Sequence, residues 1–282
     1  MKKYLRLIRP KHYIKNIIIF FPLIFSGKLT DISLSLKTAA GFIIFSLVAS
    51  SLYCINDIHD KEKDALHPVK RNRPIASGEI SVKSALVLSA FLFITGITLN
   101  IICFDILSSI WLVSYFIVSI LYSVKLKHIP IADVLSLSFG YPARLFYASA
   151  LCGIAVSEWM FLTLISGALF LVFGKRAAEY KEYSELETRN VLSKYTYGFL
   201  EKNMYVFYVL TVVFYTLWCL EHINEGKLIL CSVPVVLIIG ILYTYNVEKG
   251  EGDPITVLFK DKMILVFILI LAIIFFAFLY FL

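Results

Sequence analysis

Apolar runs of about twenty residues, broken by short polar segments, follow one another along nearly the whole chain. A helix rises about 1.5 Å per residue and the hydrocarbon core of a bilayer is about 30 Å thick, so such runs predict membrane-crossing helices. Nine segments qualify: residues 12–30, 37–56, 82–102, 106–124, 131–152, 157–174, 203–221, 227–246 and 263–282. The expected fold is all-α, a polytopic bundle of nine transmembrane helices. No soluble domain fits between the spans, so residues 1–282 are expected to form a single integral membrane domain.

Two spans carry polar residues. The purely apolar part of the first, Ile17 to Gly27, would cover only about 16 Å as a helix. That helix must start earlier and take in Lys15 and Asn16, with Lys15 either snorkelling to the headgroups or lining a cavity wall. Arg144 lies eleven residues beyond Asp133 and just after Pro142, near the middle of the fifth span. A cation there has to face a polar cavity or a partner.

Composition agrees with the pattern: 59% of residues are apolar and 17% charged, where soluble domains carry roughly a quarter charged. Of the 27 Lys and Arg, 23 fall in segments that share one membrane face if the N-terminus is inside, and only Lys28, Lys37 and Lys227 fall opposite. By the positive-inside rule the N-terminus is cytoplasmic and Leu282 outside, in the cell membrane. The loops 57–81 and 175–202 then share the cytoplasmic face, where chemistry is expected. No basic, aromatic-interleaved module points to nucleic acid. Cys54, Cys103, Cys152, Cys219 and Cys231 form no CxxC pair and read as small core residues. The basic N-terminus lacks a short apolar run with a cleavage site, so no removable signal peptide is expected.

The clearest chemical signal is the stretch from Asn56 to Asp64, in which Asp57, Asp60 and Asp64 stand at i, i+3 and i+7. On a helix that spacing stacks three carboxylates on one face. Such carboxylates repel unless a cation neutralises them, and hard oxygen ligands suit Mg²⁺; the alternative is a solvated loop, because Lys61, Glu62 and Lys63 are interspersed. The next segment, His67 to Gly78, holds Lys70, Arg71 and Arg73 among two prolines and a glycine. Cations beside a carboxylate-bound metal make a diphosphate site, since Arg offers a planar fork to phosphate oxygens, although a basic loop against anionic headgroups reads the same way. In the other long loop Lys175 and Glu179 share a helix face. They form a simple i,i+4 pair or, with Arg176, offer phosphate ligands.

With these residues in hand, the chain resembles the UbiA superfamily of intramembrane prenyltransferases, whose first acidic motif, Asn/Asp-Asp-x-x-Asp-x-x-x-Asp, matches residues 56 to 64 in full. The second motif of the aromatic-acceptor members, Asp-x-x-x-Asp, is missing. Its counterpart, Gly174-Lys175-Arg176-x-x-Glu179, is similar to the decaprenyl-phosphate phosphoribosyltransferase branch. So are Arg9-Pro10-x-x-x-x-Lys15-Asn16, the run from Asn56 to Gly78, Tyr122-Ser123-x-x-Leu126-Lys127-His128-Ile129-Pro130-x-x-Asp133, and Gly252-Asp253-Pro254.

The resemblance implies a cytoplasm-facing cavity in which 5-phosphoribose passes from 5-phosphoribosyl 1-diphosphate to a polyprenyl phosphate, releasing diphosphate. It implies Mg²⁺ held by Asp57, Asp60 and Asp64. Substrate ligands would come from Lys15, Asn16, Asn56, Lys70, Arg71, Arg73, Tyr122, Lys125, Arg144, Lys175, Arg176 and Glu179, with Arg144 toward the lipid phosphate. That phosphate is already anionic, so neither His59 nor His67 is needed as a base. An aromatic prenyltransferase is disfavoured by the missing Asp pair. A transporter is disfavoured because the spans show no inverted repeat and no chain of ionisable residues. An inactive scaffold leaves the acidic stretch without a purpose.

The orientation is open to direct measurement. A reporter fused after Leu282 is expected to be active outside the cell, and cytoplasmic labelling of residues 30–37 would contradict the arrangement.

Overall fold

The computed structural model describes residues 2–183, 191–222 and 227–281. These are helices and connecting turns, without a strand among the described residues. The chain divides into two compact units, Met1–Ala155 and Val156–Leu282.

In the first unit a short basic helix, α1 (Lys2–Ile8), leads into a 3₁₀ helix over Pro10–Phe20 and a single turn, α2 (Phe21–Phe25). The long helix α3 (Ile32–His59) follows, begun by Asp31, whose carboxylate accepts the Leu34 amide at 3.0 Å as N-cap. Helix α4 (Lys61–Leu66) continues after a break at Asp60. Then come α5 (Val82–Cys103), α6 (Ile106–Val124) and α7 (Ala132–Cys152). Helix α3 packs against α5, α6, α7 and the 3₁₀ helix. Phe45, Val48, Ala49, Leu112, Ala143 and Tyr147 form the centre of that core.

Eleven consecutive 3₁₀ residues are unusual, and their side chains show what holds them. Tyr13 Oη lies 2.7 Å from Ser50 Oγ, and Asn16 Nδ2 donates to Ser46 Oγ at 2.8 Å. Three 3₁₀ residues advance about 6 Å, as do four α-helical residues. Residues three apart on the first element therefore stay in register with residues four apart on α3, running antiparallel.

In the second unit α8 (Glu158–Tyr183), α9 (Tyr197–Glu221) and α10 (Ser232–Glu248) pack together, followed by α11 (Pro254–Lys260) and α12 (Lys262–Phe281). Asp261 caps α12 with Oδ1, which accepts the Met263 amide at 2.9 Å, while Oδ2 accepts Asn246 Nδ2 at 2.7 Å. These bonds, Asn246 first, hold its carboxyl below the usual range.

Seven segments among the described residues are long and apolar enough to cross a membrane: Ile32–His59, Val82–Cys103, Ile106–Val124, Glu158–Lys181, Tyr197–Glu221, Lys227–Glu248 and Lys262–Leu279. The two remaining expected spans differ for physical reasons. Residues 12–30 form a 3₁₀ stretch, one α turn and a loop rather than one helix, and α7 has the length but carries Asp133, Ser138, Gly140, Pro142 and Arg144, which lower its hydropathy. Residues 184–190 of the second basic loop and Leu282 lie outside the described residues.

Helices α3 and α5 pack closely at Gly96, where a Cβ would stand 2.7 Å from Val48 Cγ2. Gly96→Leu is expected to cost about 1–3 kcal/mol by overpacking, read as a lowered unfolding midpoint in detergent. Ile94→Leu, at a position 61% exposed, is expected to leave the midpoint unchanged.

Candidate active site

The acidic stretch is not one helical face. Helix α3 ends at His59, Asp60 stands at the junction, and Asp64 belongs to α4. Asp60, at the break, has a different partner from the other two. Asp57, 1% exposed, accepts Arg9 Nη2 at 2.5 Å and Arg73 Nη1 at 3.1 Å, both on Oδ1. The same Arg73 Nη1 lies 2.6 Å from Asp64 Oδ2. Asp60 turns instead to Lys127 Nζ at 2.5 Å. Asp57 Oδ2 is buried and has no hydrogen-bond partner, a state shared among the described residues only by Ser138 Oγ.

Burying a carboxylate costs several kcal/mol unless cations compensate it, and the local fold delivers those cations. Arg9 has φ 53°, a left-handed conformation at the junction between α1 and the 3₁₀ helix. Its guanidinium also lies 5.4 Å from the centre of the Tyr53 ring. Arg73 follows a 3₁₀ turn at Lys70–Asn72 and precedes Pro74. Buried Ile75 and Ile80 pack with Leu7, Cys54 and Ala85, which anchors this loop to α3 and aims Arg73 at the acids. His67 Nδ1 accepts the amides of Val69 and Lys70 at 3.2 and 3.4 Å, a turn-forming role.

The remaining expected residues of this unit fall into two groups. Asn56 Oδ1 accepts Ser123 Oγ at 3.2 Å, and Lys15, Lys70 and Tyr122 are half-buried, whereas Arg71 and Lys125 are exposed. Arg144 is 4% exposed and has no carboxylate beside it: Nε donates to Asn16 Oδ1 at 2.7 Å, Nη2 to Tyr115 Oη at 3.2 Å and Nη1 to the Gly140 carbonyl. The faces of Phe45 and Tyr115 lie 4.9 and 4.8 Å away. His128, between Lys63 and Lys127, has its pKa lowered, first by burial and then by those cations.

In the second unit Lys175 Nζ pairs with Asp253 Oδ1 at 2.7 Å, and Arg176 Nη1 with Glu179 Oε2 at 2.5 Å. Lys175 therefore turns to Asp253, while Glu179 takes the i,i+3 partner. A Cβ on Gly252 would meet the Gly174 carbonyl at 2.7 Å and Ala178 Cβ at 2.5 Å. Only glycine lets the Gly252-Asp253-Pro254 turn lie against α8. Tyr243 ties the same turn down, donating to the Gly252 and Leu171 carbonyls at 2.8 and 3.0 Å.

Arg9, Lys127 and Asp253 were absent from the expected site. Arg9-Pro10 and Gly252-Asp253-Pro254 are distinctive in the sequence, but only the fold gives them partners. Nothing in the spacing distinguishes buried Lys127 from exposed Lys125.

The model of the UbiA prenyltransferase family matches residues 18–263. The chain belongs to the UbiA prenyltransferase family. It is thus an integral membrane transferase. It is 29% identical to the decaprenyl-phosphate phosphoribosyltransferase of Mycolicibacterium smegmatis, over 92% of this chain and 87% of that one. It is also 29% identical to the enzyme of that name from Corynebacterium glutamicum, over 92% and 81%. A solved UbiA homolog from Archaeoglobus fulgidus bound to GPP and Mg²⁺ shares the fold, with TM-score 0.73 at 17% identity over 99% of this chain and 98% of that one.

Asp253 also caps α11, its Oδ2 accepting the Thr256 amide at 3.2 Å. Asp253→Ala is expected to lose about 1 kcal/mol of stability, and Asp253→Asn, which keeps the cap, most of it back; thermal unfolding of both variants checks this.

Proposed function

We propose that this protein transfers 5-phosphoribose from 5-phosphoribosyl 1-diphosphate to a polyprenyl phosphate, releasing diphosphate, in a Mg²⁺-dependent reaction at the cytoplasmic face of the cell membrane. The observation that carries the reading is the similarity, along 92% of the chain, to relatives named decaprenyl-phosphate phosphoribosyltransferase. The Lys175–Asp253 and Arg176–Glu179 pairs support it, because they put cations where the aromatic-acceptor members of the family resembled have an aspartate pair.

The residues present fit a magnesium ion. Among the described residues no three His, Cys, Asp or Glu side chains form a ready metal cage. Mg²⁺ asks for less: one or two carboxylates, with water and substrate phosphates completing the shell. Asp57 and Asp64 converge on one cation, and Asp57 Oδ2 is an open hard-oxygen donor. Asp60, next to both in sequence and held by Lys127, completes the acidic set. When bound, the ion supplies charge neutralisation for the departing diphosphate.

The chain's own groups bind and orient. Lys70, Arg71 and Arg73 contact diphosphate oxygens, with Asn56, Tyr122 and Lys125 bounding the same region. In the second unit, Lys175, Arg176 and Glu179 offer charged ligands of the kind that phosphate and hydroxyl groups need. Arg144, supported by Asn16 and near Lys15, holds the lipid phosphate. An anion reaching it has no carboxylate to displace, and its present partners are neutral. The lipid phosphate attacks as an anion, so no side chain has to remove a proton.

The test is purified protein in detergent, offered labelled 5-phosphoribosyl 1-diphosphate with polyprenyl phosphates and, separately, prenyl diphosphate with 4-hydroxybenzoate. Label is expected in lipid only in the first mixture, lost in EDTA, restored by Mg²⁺ and abolished by Asp57→Asn. Lys175→Ala, Arg176→Ala and Glu179→Ala are each expected to lower kcat/KM for the donor by about tenfold to a hundredfold or more, or about 1.5–3 kcal/mol. Transfer to the aromatic acid instead would overturn the branch assignment.

A further inference from the structure

We propose that Arg73 is a resident counter-ion which the metal must displace, so that metal affinity is set by competition with this one side chain. The inference rests on the metal part of the reading above and goes beyond it. A single nitrogen, Nη1, reaches both Asp57 Oδ1 at 3.1 Å and Asp64 Oδ2 at 2.6 Å. It therefore stands between the two carboxylates that a hard cation would bridge. The other oxygen of Asp57 is fully buried and unpartnered, so the acid is only half satisfied by its arginines.

The two arginines on Asp57 are not equivalent. Arg9 is held from several sides: its backbone sits at φ 53°, its guanidinium lies over Tyr53, and its bond to Asp57 is short at 2.5 Å. Arg73 is more exposed, 25% against 19% for the side chains, and its hydrogen bonds go to the two acids alone. Buried Ile75 anchors the loop two residues on, so the side chain can swing without moving the backbone. Once the metal takes its place, the guanidinium is released to bind an anion. Metal and diphosphate donor then assist each other, because each favours the state with Arg73 turned away from the acids.

The experiment measures Mn²⁺ binding to full-length protein in detergent, from the electron paramagnetic resonance signal of the free ion. Arg73→Gln is expected to bind Mn²⁺ about tenfold or more tightly than wild type, since a charge-assisted bond no longer has to be given up. Lys61→Gln, which removes an exposed charge beside the same acids, is expected to change affinity less than about threefold, as a screened surface charge does. Asp57→Asn is expected to lose the site. In wild type, Mg²⁺ is expected to speed phenylglyoxal modification of Arg73 several-fold relative to the other arginines, a readout that needs no variant to fold. Unchanged or weaker Mn²⁺ binding by Arg73→Gln, or unchanged labelling of Arg73, while Asp57→Asn abolishes binding, would overturn this inference alone. Wild-type Mn²⁺ affinity in Asp57→Asn would overturn the metal assignment with it.

Discussion

A carboxylate buried at the end of an apolar helix is costly unless something positive touches it, and Asp57 imposes that condition on everything around it. The cost of leaving such a charge uncompensated is several kcal/mol, comparable to the whole stability of many domains. The left-handed conformation at Arg9, the anchored loop bearing Arg73 and the break after α3 all serve to bring cations to this carboxylate and its neighbour Asp64. The compensation is incomplete, because Asp57 Oδ2 has no partner. A structural ion pair would close that valence, whereas a ligand site leaves it available.

The same physics treats Arg144 differently. It is buried among neutral groups, with amide, phenol and carbonyl acceptors and two aromatic faces sharing its charge. The first unit thus holds an under-compensated anion and an under-compensated cation.

The family and the helical architecture are legible in the sequence, and the local geometry is less so. The hydrophobic pattern defined the helices because each run is long and uninterrupted, and all seven sufficiently apolar segments coincide with expected spans. It misread residues 12–30 because hydropathy is blind to the choice between 3₁₀ and α. That choice was made by the hydroxyls of Ser46 and Ser50 on another helix, matched to Tyr13 and Asn16. The three-aspartate spacing assumes a continuous helix through Asp60, where α3 gives way to α4. Local spacing offers Lys175 an i,i+4 partner in Glu179 or a role toward phosphate, and it gives no sign of Asp253, which arrives from a turn more than seventy residues later and pairs with the lysine. Long-range partners of this kind leave no mark in local spacing.

The central claim is that Asp57 Oδ2 is the seat of a divalent cation. An anomalous difference map from crystals grown with Mn²⁺ tests it most directly. The account predicts a peak at coordination distance from Asp57 Oδ2, with Asp64 beside it and the Arg73 guanidinium moved off both acids. A map with no peak there, and Arg73 still bridging Asp57 and Asp64 at saturating Mn²⁺, would contradict it.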